Sequence, residues 1–111
     1  MINAKEELLS SIKESGATLR CAIIKVGYEE YDEPQKVYSL RNEYTFCEVE
    51  TFLNSLDFTY DNGYGAQHLY GTVWLYDGTW LERREYDGSE WWNVCSAPTI
   101  PDELKQKETD F

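Results

Sequence analysis

Several residue types are scarce in this 111-residue chain, and each shortage excludes a class of protein. The single histidine, His68, cannot supply a metal site built from several histidines. The three cysteines (Cys21, Cys47 and Cys95) are odd in number and widely spaced, and no C-x-x-C motif occurs. We therefore expect reduced thiols and neither a bound metal nor a cofactor. No apolar run approaches the roughly 20 residues that a membrane helix needs.

Basic residues are scarce as well. Ten Lys and Arg stand against 21 Asp and Glu, which gives a formal charge of −11. Such a chain is repelled by nucleic-acid backbones and by anionic lipids, which argues against nucleic acid or a membrane as a direct partner. The first residues also lack the basic and apolar regions of a signal peptide. We therefore expect a cytoplasmic protein.

Aromatic residues, by contrast, are abundant at 15% of the chain, which excludes a disordered acidic tail. The length suits one domain. Two prolines, Pro98 and Pro101, end the patterned part of the sequence, and charged residues follow them. We predict a single domain over residues 1–101 and a mobile charged tail over residues 102–111.

Two helices are signalled by their caps. Asn3 with Glu6 predicts the start of the first helix, and Gly16 predicts its end. Thr45 with Glu48 forms a capping box for the second, and Tyr44 stands at staple distance from Val49. The apolar stripe of the second helix comprises Phe46, Val49, Phe52, Leu53 and Leu56.

Five strands are predicted, over residues 18–26, 36–40, 67–76, 79–86 and 89–96. The first is apolar on both faces, which predicts a strand covered on both sides. The last three are joined at Asp77-Gly78 and Asp87-Gly88, pairs that favour tight hairpin turns. The resulting order, α-β-β-α-β-β-β, predicts an α+β domain whose antiparallel sheet ends in a three-stranded meander and carries helices on one face.

Two-residue turns in both hairpins would place the aromatic residues on two faces. Trp80 and Trp91 would share one face with Leu69, Val73 and Leu75, and Tyr70, Trp74 and Trp92 would share the other. Arg84 would oppose Trp91 and Arg83 would oppose Trp92, which predicts two cation–π contacts. A one-residue bulge at either turn would exchange the faces. Two hypotheses stay open: all four tryptophans lie in the core, or some of them form a patch that binds a partner.

Charge is unevenly distributed along the chain. No Lys or Arg occurs between Arg41 and Arg83. We predict that the carboxylates of this stretch form a patch of negative potential that attracts a basic partner; the alternative is an acidic surface that only maintains solubility. The candidate partner-binding residues are Glu43, Glu48, Glu50, Asp57, Asp61, Asp77 and Glu82, together with Tyr70, Trp74, Trp91 and Trp92.

Motifs for catalysis are weak. His68 lies in a predicted strand and is interpreted as a structural residue. The segment starting at Asp57 lacks the Gly and Glu that a calcium loop requires. Glu85 and Glu90 face each other across the second hairpin, where we expect them to be solvated and offset by Arg83. We therefore predict no catalytic residues, although an acid–base role for this pair or for His68 remains a third hypothesis.

The C-terminal half carries a distinctive block: GYGAQ at 63–67, GTVW at 71–74, DGTWLER at 77–83 and EYDGSEWW at 85–92. This block resembles small uncharacterised acidic proteins of bacteriophages and prophages. The resemblance implies a bacterial or phage cytoplasmic protein. By analogy of size and charge, it suggests an inhibitor that occludes a host protein, as anti-CRISPR and other anti-defence proteins do.

The leading hypothesis is accordingly a non-enzymatic protein that binds a host protein through that protein's basic surface, in a manner that mimics nucleic acid. The alternative is a module whose exposed Trp and Tyr side chains stack on a sugar or a nucleotide. The sequence leaves the oligomeric state open, including a homodimer that covers an edge strand or the aromatic face.

Overall fold

The computed structural model describes residues 1–27, 36–61 and 66–104. In chain order, the elements are β1 (Ile2–Asn3), α1 (Ala4–Ser15), β2 (Leu19–Val26), β3 (Lys36–Leu40), α2 (Phe46–Ser55), β4 (Thr59–Tyr60), β5 (Leu69–Leu75), β6 (Trp80–Tyr86), β7 (Ser89–Cys95) and a 3-10 turn (Asp102–Leu104). The turn occupies the start of the predicted tail, and the rest of that tail lies outside the described residues.

The α+β class and a five-stranded antiparallel sheet with two helices are as predicted. The strand order in the sheet is β3-β2-β5-β6-β7, and every neighbouring pair is antiparallel. β1 and β4 form a second, two-stranded sheet that was not predicted. Strands of two residues are too short for an alternating pattern to reveal them.

Local capping chemistry explains where the helices begin and end. The Asn3 side chain accepts a hydrogen bond from the Glu6 backbone N–H at 3.0 Å, and Gly16 ends α1 in the left-handed conformation at φ 76°. At α2 both halves of the capping box between Thr45 and Glu48 are formed. These predictions are confirmed.

The core lies on one side of the five-stranded sheet, where both helices pack. Leu8 from α1 and Phe52 from α2 are buried in the same cluster as Ile24, Val73 and Leu81 from the sheet. Two sequence expectations are corrected. Ile23 is 38% exposed, so β2 is not covered on its second side as predicted. Phe46 is 77% exposed, because the buried part of α2 starts one turn later.

The two Asp-Gly turns differ, and this difference determines which tryptophans share a face. Asp87 and Gly88 both have positive φ, and Glu85 pairs with Glu90 across this two-residue turn. At the first hairpin only Gly78 has positive φ. Trp74 there pairs with Trp80, so the connection is one residue longer than predicted.

This extra residue corrects the predicted faces. β5 is shifted by one position against β6, so Val73 pairs with Leu81 and points into the core. Trp74 consequently lies on the opposite, outward side of the sheet together with Trp80 and Trp91. Trp92 points inward. The sequence, by contrast, predicts Trp74 and Trp92 on the same face.

Candidate functional site: the outer tryptophan face

Three of the four tryptophans lie on the side of the sheet that carries no helix. Trp74 and Trp91 are each 41% exposed, and Trp80 is half-buried. We call this surface the outer tryptophan face. Its other side chains, taken from the strand pairing, include Cys21, Ile23, Lys25, Tyr70, Thr72, Glu82, Arg84, Tyr86, Asn93 and Cys95. Large apolar patches are rarely exposed on monomeric proteins, and where they occur they commonly mark interaction sites.

Polar groups on this face pair with one another. Trp80 Nε1 donates to Glu82 Oε1 at 3.0 Å, and Arg84 Nη2 donates to Glu82 Oε2 at 3.0 Å. The Trp80 hydrogen bond, reinforced by the Arg84 charge, lowers the pKa of Glu82. Arg84 is thus directed toward Glu82. In the described part of the chain, Arg83 is the cation that lies over aromatic rings, so the predicted stacking of Arg84 on Trp91 is not found.

Trp92 occupies the opposite side of the same hairpin. It is 7% exposed, and the Arg83 guanidinium lies 5.0 Å from its ring centroid. This contact is the cation–π pair that the sequence predicted for Arg83. As a buried residue, Trp92 belongs to the core, in contrast with its expected role in partner binding.

Glu90 is the acidic partner of Arg83, and it is fully buried. Its carboxylate accepts from Arg83 Nε and Nη2 at 3.0 and 2.8 Å. It also accepts from the backbone N–H groups of His68 and Leu69 at 2.7 and 3.0 Å. The expectation of a solvated Glu85–Glu90 pair is therefore corrected: Glu85 is exposed, whereas Glu90 is enclosed.

A second carboxylate and a phenol complete this buried network. Arg83 Nη1 donates to Glu7 of α1 at 2.9 Å, and Arg83 Nη2 donates to the Tyr60 hydroxyl. The Tyr60 hydroxyl donates to Glu7 at 2.5 Å. Burial, together with the bond to Glu7, raises the pKa of Tyr60 far above its ordinary value. The network connects α1, β4, β6 and β7, and its dense internal pairing fits a structural role.

The position of His68 agrees with its interpretation as a structural residue. Its ring stacks on Tyr60 with a centroid distance of 5.5 Å and an interplanar angle of 10°, and Phe58 lies 6.2 Å away. Among the described residues, no group of three His, Cys, Asp or Glu side chains is arranged to hold a metal ion.

The predicted acidic residues are divided between the two sides of the sheet. Glu82 lies on the outer tryptophan face, whereas Glu48 and Glu50 belong to α2 on the other side. Asp77 lies in the turn between β5 and β6, where it accepts from the Thr79 backbone N–H at 3.0 Å. The rest of the set comprises the exposed residues Glu43, Asp57 and Asp61. The structure therefore does not gather these carboxylates into one patch.

Several of these carboxylates bind neighbouring side chains. Arg41 contacts Glu48 through two hydrogen bonds of 2.7 Å, which lower the pKa of Glu48 to about 2. Asp57 accepts from Asn3 at 2.8 Å. These contacts indicate that part of the acidic set serves local structure.

Sequence reasoning missed two features of the site. Trp80 was not included among the binding candidates, although it completes the outer tryptophan face. The network around Arg83 was also missed, because its members Glu7, Tyr60 and Glu90 are far apart in sequence. One signal was present in the sequence: Arg83 and Glu90 each stand two residues from a core side chain of their own strand, Leu81 and Trp92, and therefore on its buried face.

Comparison with known proteins supplies no family. Neither the scan of protein-family models nor the searches of curated proteins and solved structures found a match. In the described residues, neither helix has the length and apolar character needed to cross a bilayer.

Proposed function

We propose that this protein is a non-enzymatic binding protein whose outer tryptophan face contacts a basic surface of a partner protein. The observation that carries the proposal is that Trp74, Trp80 and Trp91 share one open sheet face, with Trp74 paired to Trp80 and Trp91 beside Arg84, four residues further along β6. Tryptophan is the residue type most enriched at the energetic centre of protein interfaces.

The indole rings have an exposed surface that an incoming side chain can use. Arg84 is held by Glu82 at 3.0 Å, which leaves the ring of Trp91 uncovered by its cross-strand neighbour. An arginine or lysine from a partner over such a ring gains a cation–π contact. The buried contact of Arg83 with Trp92, at 5.0 Å, illustrates this geometry within the same hairpin.

Charge favours a basic partner at longer range. The formal charge of −11 attracts cations over about one Debye length, roughly 8 Å at physiological salt. Because the acidic residues are spread over both sides of the sheet, we assign them to attraction during encounter and the tryptophans to the contact itself. The resemblance to small phage proteins leads us to propose a cytoplasmic inhibitor of a bacterial host protein.

The experiment is a comparative capture followed by titration. The wild-type protein, a Trp74→Ala/Trp91→Ala variant and a Phe46→Ala control are immobilised and exposed to bacterial lysate. Phe46 is an exposed aromatic residue of α2, on the helical side of the sheet. A partner of the outer tryptophan face is retained by the wild type and by Phe46→Ala, and is lost with the double variant.

Titration of the purified partner then tests the charge argument. We expect the affinity for the partner to fall about tenfold or more between roughly 50 and 300 mM salt, because salt screens exposed charges. A partner retained by the double tryptophan variant would overturn the proposed surface. Binding that ignores salt would overturn the basic partner.

A second candidate function is supported by one pocket beside Trp74. An open cavity of about 310 Å³ is lined by Arg20, Cys21, Asn42 and Trp74, and Arg20 Nε donates to Asn42 at 3.3 Å. An indole wall beside a guanidinium suits a nucleotide or a sugar. Titration with nucleotides and oligosaccharides, followed by tryptophan fluorescence, tests it. A response that is lost with Trp74→Phe, without any partner protein, would favour this candidate.

A further inference from the structure

We propose a second interaction site, at the free edge of β3, that binds an extended peptide of a partner as an added strand beside α2. This site lies at the opposite edge of the sheet from Trp91 of β7 and does not depend on the function proposed above. β3 is the last strand on its side of the five-stranded sheet, with β2 as its only neighbour in the described part of the chain. A strand at such an edge offers backbone groups that a further strand can pair.

The direction of the backbone groups in β3 follows from the hydrogen bonds of β2. Gly27 and His68 are the next opposed residues beyond Val26 and Leu69, and the Gly27 N–H donates to the His68 carbonyl at 2.9 Å. They therefore form a hydrogen-bonded pair, in which Gly27 directs its backbone groups toward β5. Along an antiparallel strand, hydrogen-bonded pairs alternate with non-hydrogen-bonded pairs, whose backbone groups point to the other neighbouring strand. Ile24, three residues earlier, therefore directs its backbone groups toward Tyr38 of β3.

Val37 and Ser39 flank Tyr38, so their backbone N–H and C=O groups point away from β2. Their hydrogen-bonding groups form what we call the β3 edge. No described residue bonds to them from that side. The pairing of β2 with β3 continues without a bulge from Val26 to Ala22. The strand also has no proline, so it lacks two of the features that commonly protect an edge from pairing.

A groove runs alongside this edge. Its volume is about 400 Å³, and β3 and α2 form its walls. Leu40 and Phe52 contribute buried apolar surface, while Val37 is 53% exposed. A free strand edge next to a helix is the geometry in which a peptide is bound by strand addition: main-chain hydrogen bonds provide affinity, and alternate side chains enter a groove.

Charge around the groove defines the kind of peptide. Arg41 and Glu48 pair across one end, and Glu43 acts on the same arginine. At this end of the groove two carboxylates, Glu43 and Glu48, lie beside one arginine, and the whole chain carries a formal charge of −11. We therefore infer a peptide that alternates apolar residues with Lys or Arg.

The experiment selects peptides and then removes their backbone donors. A display library of random nine-residue peptides is selected on the wild-type protein, and the enriched peptides are synthesised with and without N-methyl groups on alternate amides. We expect alternating apolar and basic residues, and at least tenfold weaker binding after methylation. Ser39→Pro should weaken binding to the same extent, because it removes an outward N–H and leaves the bonds to β2 in place.

Two controls make the result decisive. Trp91→Ala should bind the selected peptides as tightly as the wild type, which separates this site from the outer tryptophan face. Thr51→Arg places bulk and positive charge in the groove and should also reduce binding tenfold, which replaces Ser39→Pro if that variant does not fold. Failure to enrich any peptide, or unchanged binding of the methylated peptides, would overturn the proposal. A dimer that Ser39→Pro dissociates would also overturn it, since a second copy would then occupy the edge.

Discussion

The hairpin of β6 and β7 contains two adjacent Arg–Trp pairs that differ in almost every physical respect. Arg83 and Trp92 face inward, where the guanidinium lies 5.0 Å from the indole and binds two carboxylates. Arg84 and Trp91 face outward, where the arginine binds Glu82 and the indole is 41% exposed. The residue types are the same, so burial and the choice of charged partner separate a structural pair from one available to a partner.

The two pairs are expected to contribute differently to stability and to binding. In the inward pair, Arg83 replaces water with four hydrogen bonds to Glu7, Tyr60 and Glu90. A buried charge is tolerated only when it is paired in this way. The outward pair remains partly exposed to water, so removing either side chain leaves no buried charge without a partner. We therefore expect inward substitutions to change stability, and outward substitutions to change binding.

The largest expected effect comes from truncating the inward arginine. Arg83→Ala leaves Glu90 buried without its cation, and we expect the free energy of unfolding to fall by about 3–5 kcal/mol. Arg84→Ala is the matched control and should change it by about 0.5 kcal/mol or less. Urea unfolding followed by circular dichroism measures both. If Arg83→Ala does not fold, Glu90→Gln tests the same network. Equal effects of the two arginine variants would contradict the comparison.

The two tryptophans provide the next test. Trp92→Ala removes a buried indole and should lower the free energy of unfolding by about 3–5 kcal/mol. Trp91→Ala should cost about 1 kcal/mol or less, because much of that side chain remains in water. Thermal unfolding of both variants checks the ratio. A Trp91 variant as unstable as the Trp92 variant would mean that the outer face supports the fold rather than a partner.

Sequence reasoning predicted the helix caps and the strands well, because their signals are local. Asn3, Gly16 and the Thr45–Glu48 box act within a few residues. The faces of the sheet were harder, since two Asp-Gly pairs adopt different turns. At the first, Tyr76 N donates to Thr18 of the β2 side, and Asp77 bonds Thr79. The contact with Thr18 is tertiary, so no local pattern could reveal it.

The candidate site was predicted in part for the same reason. Trp74 and Trp91 are on the outer face, whereas Trp92 is buried, and the single residue added at the first turn brings Trp74 and Trp80 together. A one-residue shift exchanges every side chain between faces. The acidic stretch failed to predict a patch because nearness in sequence does not fix which side of a sheet a residue occupies.

A smaller loss of stability is expected from a substitution at Gly71 in β5. Gly71 of β5 has φ +134°, and a Cβ atom there would lie 2.1 Å from the carbonyl oxygen of Ile23. Gly71→Ala must therefore shift β5 against β2, and we expect a loss of about 1–3 kcal/mol in the free energy of unfolding. Gly78→Ala is a useful control, because its φ is also positive but no atom lies within 4 Å of the added Cβ. A larger loss at Gly78 would contradict the steric argument.

The smallest effect on stability is expected from the exposed ion pair of Arg41 and Glu48, in contrast with the buried pair of Arg83 and Glu90. Hydrogen bonds from Arg41 lower the pKa of Glu48 from 4.5 to about 2 in the folded protein. A carboxyl group whose pKa is lower when folded stabilises the fold above its unfolded pKa and loses that contribution as the pH falls. Stability should therefore decline between about pH 4.5 and pH 2 in the wild type, and less steeply in Glu48→Gln. Urea unfolding across this range measures the slopes, with Glu50→Gln as the exposed control on the same helix. Identical slopes for Glu48→Gln and the wild type would show that Arg41 and Glu48 do not pair in solution.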